Sequence, residues 1–159
     1  MVEKHKCLAV VRIRGMGEAS PDVEKTLEML HLTRNCHITL VDDRSSFQGM
    51  LQKARHFVTW GEAAKETVLA LLERRGKLAG DKKLDAAYAQ RVGYKTLTDL
   101  ADAVYKLEAD FQRLPDIKPV FRAHPPKKGY KGKIKKSYNV GGVTGYRGDA
   151  INKLVERMI

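Results

Sequence analysis

The chain has 159 residues, 43% of them hydrophobic, with 30 Lys and Arg against 19 Asp and Glu, a net charge of +11. This is enough apolar material for the core of one ordinary domain with an appendage, which excludes global disorder. The 2 cysteines make no disulfide framework, and no run approaches the ~18 consecutive apolar residues of a membrane span.

The N-terminal MVEKHKC is too charged, and the apolar stretch before Arg12 too short, for a secretory signal. The expectation is a soluble, cytoplasmic protein with Cys7 and Cys36 reduced. Residues 7–14, CLAVVRIR, are rich in Val and Ile and predict a strand. Alternation sets Cys7, Ala9, Val11 and Ile13 on the core side, and Leu8, Val10, Arg12 and Arg14 on the other. Gly15 and Gly17 break the strand. Ser20-Pro21-Asp22 opens a helix: Ser caps, Pro suits the first turn, and Asp favours the positive end of the dipole. Val23, Leu27 and Leu30 form its apolar stripe. Residues 37–41 predict a second strand. Ser45 and Gln48 fit a capping box, followed by the stripe Phe47, Met50, Leu51 and Ala54. Residues 56–60 predict a third strand, completing β-α-β-α-β, a small sheet covered by two helices.

The middle of the chain reads as helical. Ala64, Val68, Leu71 and Leu72 share one face, Arg74 and Arg75 suit that helix's negative end, and Gly76 can end it. A short helix carries Leu84, Ala87 and Tyr88. Thr96 and Asp99 suggest another capping box before Leu100, Ala103, Val104, Leu107 and Phe111, with Pro115 as the stop. The chain closes on a helix bearing Ile151, Leu154, Val155 and Met158.

Charge is concentrated between these last two helices. Lys118 to Arg147 holds 9 basic residues and no acid, so the other 129 residues carry a net charge of only +2. Pro119, Pro125 and Pro126, five glycines, and Phe121, Tyr130, Tyr138 and Tyr146 interleave with the cations. Pro and Gly argue against helix, leaving short extended pieces. Cations alternating with aromatic rings suit nucleic acid: ammonium groups neutralise phosphates, and rings stack on unpaired bases or pack on riboses. A merely solvated basic loop is the alternative. Docking of the last helix would tether the segment at its far end. Self-repulsion would keep it mobile until it meets a polyanion.

Other chemistries fit less well. Gly15-Met16-Gly17-Glu18-Ala19-Ser20 approaches a dinucleotide fingerprint, but Ser20 stands where the third glycine belongs, and too few strands follow. A small nucleotide-binding module using the Gly15/Gly17 turn is nevertheless the alternative function. The histidines lack zinc spacing to either cysteine. No nucleophile motif is present, and Asp42-Asp43 reads as a turn. Gly141 to Gly148, before the last helix, is either a linker or an RNA phosphate cradle. A membrane-surface role lacks an amphipathic basic helix.

The residues resemble a known family. Thr26-Leu27-Glu28-Met29-Leu30, Gly49-Met50 and Phe57-Val58-Thr59-Trp60-Gly61-Glu62 look like its core pattern. Phe121-Arg122-Ala123-His124-Pro125-Pro126-Lys127-Lys128-Gly129-Tyr130 resembles its basic segment. Gly141-Gly142, Gly145, Arg147, Asp149, Ile151-Asn152, Leu154 and Arg157-Met158 resemble its terminal signature. This is the universal large-subunit ribosomal protein family conventionally numbered thirty, in its long archaeal and eukaryotic form, numbered seven in eukaryotes. A strand beginning close to Met1, without the long basic extension of eukaryotic members, suggests an archaeal-type member.

The resemblance implies an α+β fold: a three-stranded β-α-β-α-β sheet with helices packed on one side, a relative of ferredoxin-like folds, plus a helical insertion, a basic extended segment and a C-terminal helix. The expected divisions are 1–62 as RNA-binding core, 63–115 as insertion, 116–147 as basic RNA-binding segment and 148–159 as docking helix. The implied function is structural, without catalysis, cofactor or small-molecule substrate, in the large ribosomal subunit, with large-subunit ribosomal RNA and neighbouring ribosomal proteins as partners. Arg122, Lys127, Lys128, Lys131, Lys133, Lys135 and Lys136 are the first candidates for phosphate contact, with Arg147 beside them. His124, Tyr130 and Tyr138 could pack on sugars or bases. Arg12, Arg14, Arg34, Arg44 and Arg55 are further candidates near the sheet edges.

Overall fold

The computed structural model describes residues 6–15 and 19–159. Gly17, and with it half of the proposed nucleotide turn, lies outside the described residues. The fold is α+β, as expected, but the sheet has six strands where three were expected. The first three are β1 (Cys7–Arg12), β2 (His37–Asp42) and β3 (Val58–Glu62). β1 lies between the other two and is antiparallel to both, with Val10 opposite Thr39 on one side and Trp60 on the other. This overturns the nucleotide-module alternative, because a dinucleotide site needs parallel strands joined through the crossover helix.

Three short strands widen the sheet. β4 (Phe121–Arg122) pairs antiparallel with β2. β6 (Gly142–Tyr146) runs parallel to β3, with Thr59 opposite Gly145. β5 (Lys133–Ser137) lies outside β6, parallel to it in an irregular register. The order is β4-β2-β1-β3-β6-β5. The extra strands come from the Pro/Gly-rich basic segment and could not be read from alternation. The Gly141–Gly148 run is thus largely a sheet strand and not a free linker. A Cβ on Gly142 would sit 1.9 Å from the carbonyl oxygen of Lys136, so only glycine allows β5 and β6 to approach.

Helices cover both faces. α1 (Pro21–Met29) and α2 (Ser45–Lys53) lie on one face, where Leu27, Leu30, Leu51 and Ala54 bury Leu8, Val10, Val41, Val58 and Trp60. α3 (Lys65–Arg75), α4 (Ala86–Arg91), α5 (Leu97–Tyr105) and α6 (Ala150–Glu156) contribute to the other core. There Val68, Leu71, Tyr88, Leu100, Val104, Ile151, Leu154 and Met158 join Cys7, Ala9, Val11, Ile38 and Leu40. Each buried Val, Leu, Ile or Met side chain stabilises the fold by about 1.5–3 kcal/mol. Helices on one side therefore describes only the pair within the first 62 residues.

Local signals were met unevenly. Ser20 caps α1, its Oγ accepting from the Val23 amide at 3.5 Å, with Pro21 in the first turn. Thr96 caps α5, accepting from the Asp99 amide at 3.2 Å. The Ser45/Gln48 box does not form. Arg44 holds the cap position without a side-chain bond, and the Gln48 amide instead donates to the Asp43 carbonyl at 2.6 Å. α5 stops at Tyr105, well before Pro115. Leu107 turns left-handed (φ 62°), and Phe111 reaches the core from a 3₁₀ turn at Phe111–Arg113.

Candidate nucleic-acid interface

The basic segment is held at both ends and crosses from one edge of the sheet to the other. It begins at β4, where buried Phe121 stacks on Phe111 with ring centroids 4.7 Å apart. The C-terminal residues then strap it down. The His124 amide donates to the Met158 carbonyl at 3.1 Å, and the Lys127 amide donates to the Arg157 carbonyl at 3.0 Å. The Arg157 guanidinium returns two bonds, to the carbonyls of Lys127 (3.2 Å) and Gly129 (2.8 Å). The far end is fixed by Arg147. Its Nε donates to Thr59 Oγ1 at 2.8 Å, its amide donates to the Trp60 carbonyl at 2.9 Å, and its guanidinium lies 4.8 Å over the Tyr138 ring. α6 is locked to the sheet by Asn152, whose Oδ1 accepts from the Ala64 amide at 2.7 Å and whose Nδ2 donates to the Glu62 carbonyl at 3.1 Å. The segment is thus a tethered loop, as the docking helix predicts.

Between these anchors the chain runs along the surface, in part as the edge strand β5. Lys127, Lys128, Lys131, Lys133, Lys135 and Lys136 are all exposed. Among the described residues none of the six forms an ion pair. Uncompensated cations on a fixed frame suit a polyanion, because the cost of ordering the chain is largely met within the protein.

The remaining candidates separate by environment. Arg12 is a correction. It is 0% exposed, donating to the carbonyls of Leu32 (2.7 Å) and Arg14 (2.8 Å) and pairing with Glu24 at 3.4 Å. It cannot meet RNA, because the face opposite Cys7, Ala9 and Val11 is covered as well. Arg14 is half-buried, its guanidinium 4.7 Å over the Phe57 ring. Arg34 is exposed. Arg44 is exposed but forked onto Asp42, its Nε 2.8 and 2.7 Å from the two carboxylate oxygens. Arg55 is exposed beside His56. Arg122 is exposed and shares Asp81 with Lys118, at 3.5 Å for Arg122. The Lys118 ammonium bonded to it, and then Arg122, hold the Asp81 carboxyl below its ordinary value.

His124 and Tyr130 serve the frame. The His124 ring nitrogens contact the carbonyl oxygens of Pro125 (2.7 Å) and Ile159 (3.2 Å). The Tyr130 hydroxyl is 4.0 Å from Cys36 Sγ, and burial pushes both acidic groups up. Burial also lowers the pKa of the half-buried Arg147 guanidinium. Tyr138 is 41% exposed, with Arg147 over one ring face. Tyr130, Lys131, Tyr138 and Arg147 come together, with Lys153 and Arg157, around a groove of about 480 Å³ behind the segment. Sequence reading missed Lys153 and Arg157 as parts of the site. A cation in the last turn of a helix reads as a dipole partner, and only the fold puts Arg157 beneath Lys127.

Fold and site together define a small basic α+β protein that presents cations from a sheet edge. Residues 8–58 match the family described as Ribosomal protein L30p/L7e. Across nearly the whole chain the protein is similar to large ribosomal subunit proteins uL30 of archaea. It is 46% identical to that of Methanopyrus kandleri over 149 residues, which span 92% of this chain and 100% of the relative. It is 44% identical to that of Ignicoccus hospitalis over 156 residues (97% and 98%), and 42% identical to that of Thermofilum pendens over 151 residues (94% and 97%). The chain belongs to the L30p/L7e family of ribosomal proteins, which is structural and not enzymatic.

Proposed function

We propose that this chain, as a structural constituent of the large ribosomal subunit, binds large-subunit ribosomal RNA through the segment 116–147, with neighbouring ribosomal proteins around it. Residues 1–62 supply the platform, 63–115 the insertion covering the second face, and 148–159 the strap. The observation that carries this reading is the row of six exposed lysines, without acid partners among the described residues, on a tethered frame. Lys127, Lys128, Lys131, Lys133, Lys135 and Lys136 would contact phosphates. Arg122, Arg34 and Arg55 would add charge at the flanks, and Tyr138 would pack on sugar or base. Arg147, His124 and Tyr130 would act mainly by shaping the segment. Recognition then rests on backbone charge and RNA shape.

The test is the salt dependence of binding to large-subunit ribosomal RNA. Each phosphate-contacting lysine changed to Ala is expected to flatten the slope of log affinity against log salt by about 0.7–0.9. An unchanged slope after replacing all six would overturn the assignment.

A further inference from the structure

The layer of α1 and α2 stops short of the widened sheet. Their core includes β1, β2 and β3 but no residue of β5 or β6. A groove is left between α2 and β6. It is lined by Ser45, Gln48, Gly49 and Gln52 of α2, by Lys6 and Leu8, by Trp60, Glu62 and Tyr146, and by the acid Asp43, and encloses about 610 Å³. A smaller hollow of about 180 Å³ continues it past Gln52, Trp60 and Tyr146 to Arg55 and Tyr138.

Four features give this groove its chemistry. Its wall is one helical face, since Ser45, Gln48, Gly49 and Gln52 recur at i, i+3, i+4 and i+7, opposite the core-facing Leu51. That face offers the Gln52 amide and the part of the Gln48 amide that its 2.6 Å bond to the Asp43 carbonyl leaves over, one N–H and the carbonyl oxygen. Its floor holds Tyr146, 48% exposed and oriented by its hydroxyl on Glu62 (2.5 Å), with the ring tilted against Trp60 at 6.5 Å. Cations stand towards its two ends, Lys6 and Arg55, and it opens onto the basic segment at Ser137 and Tyr138.

The fourth feature is Gly49, in the middle of α2. Glycine there costs the helix stability relative to alanine. Among the described residues no steric contact requires it, since a Cβ on Gly49 would meet no atom within 4 Å. A residue that weakens its own helix and leaves open space above the backbone fits a molecule that must approach that backbone closely.

We infer that this groove receives one unpaired nucleotide of the RNA, its base stacked on Tyr146, its edge bonded by Gln48 and Gln52, and its backbone passing over Gly49. This rests on the RNA-binding reading above and names the element recognised. A paired, stacked base hides its faces and its Watson–Crick edge, so a duplex cannot stack on Tyr146, whereas a splayed nucleotide offers both.

The test compares Gly49→Ala and Tyr146→Ala with the six-lysine variant, using large-subunit ribosomal RNA for binding and thermal unfolding of the protein alone. Gly49→Ala is expected to raise the unfolding midpoint by about 1–4 °C and to weaken RNA binding about tenfold, with the salt slope unchanged. Tyr146→Ala is expected to weaken binding to a similar extent, and ultraviolet irradiation of the wild-type complex to cross-link a nucleotide to Tyr146. If both variants bind as the wild type does while the six-lysine variant binds weakly, the groove assignment fails and the RNA reading stands. If the six-lysine variant also binds normally, the RNA reading fails as well. Normal binding of protein-free RNA by Gly49→Ala, with poor incorporation into subunits, would assign the groove to a protein chain and overturn the proposal.

Discussion

Arg12 shows how burial decides what a charged side chain can do. Alternation along β1 set it on the side away from the core with Leu8 and Val10, where it looked available to a polyanion. α1 and α2 close that side, and the guanidinium satisfies the Leu32 and Arg14 carbonyls from within. Its partner Glu24 keeps 24% of its side chain exposed, so losing the arginine does not strand a fully buried carboxylate. Arg12→Ala should cost about 2–4 kcal/mol, from the unsatisfied carbonyls and the vacated volume. Arg34→Ala, at an exposed position, should cost less than about 0.5 kcal/mol. Urea unfolding of the two variants measures the contrast. The near-continuous apolar run Cys7–Val11 is what cover on both faces produces, but nothing confined to residues 7–14 shows that the cover extends over Arg12.

At the scale of elements, what was legible followed from local chemistry and what was missed followed from pairing at a distance. β1 and α6 could be read because their apolar residues keep one period and the whole stripe Ile151, Leu154, Val155 and Met158 is buried. β6 could not, since GGVTGY carries turn residues, and its strand character comes from pairing with β3 more than eighty positions earlier. The two capping boxes read alike and behave differently. Thr96→Ala should destabilise by about 1 kcal/mol, while Ser45→Ala should stay within about 0.5 kcal/mol, because Ser45 already lies inside its helix. Equal losses from the two substitutions, measured by thermal unfolding, would contradict this account of the caps.

For the whole molecule, the candidate surface legible in sequence is the one defined by charge, and the candidate missed is defined by shape. The exposed lysines are contiguous in the chain. The groove beside α2 joins residues from β1, α2, β3 and β6, and nothing in their spacing brings them together. The same long reach makes the last three residues important. Arg157, Met158 and Ile159 hold the backbone and ring of His124 and the backbone from Lys127 to Gly129. Deleting residues 157–159 should raise the rate of tryptic cleavage between Lys127 and Lys136 by about tenfold or more, given about 1 kcal/mol for each lost bond. Unchanged cleavage kinetics would mean that the strap does not hold the segment.

The placement of β5 has a consequence for the protein before assembly. A strand at the border of a sheet shows unpaired peptide groups to any passing chain, and a second copy could add its own border strand there. Here the border carries Lys133, Lys135 and Lys136. Two such strands laid side by side would crowd ammonium groups against one another, a repulsion that salt weakens and a polyanion neutralises. The charges suited to phosphate therefore also oppose pairing between newly made copies, a protection that an RNA bound as proposed would replace by covering the edge itself.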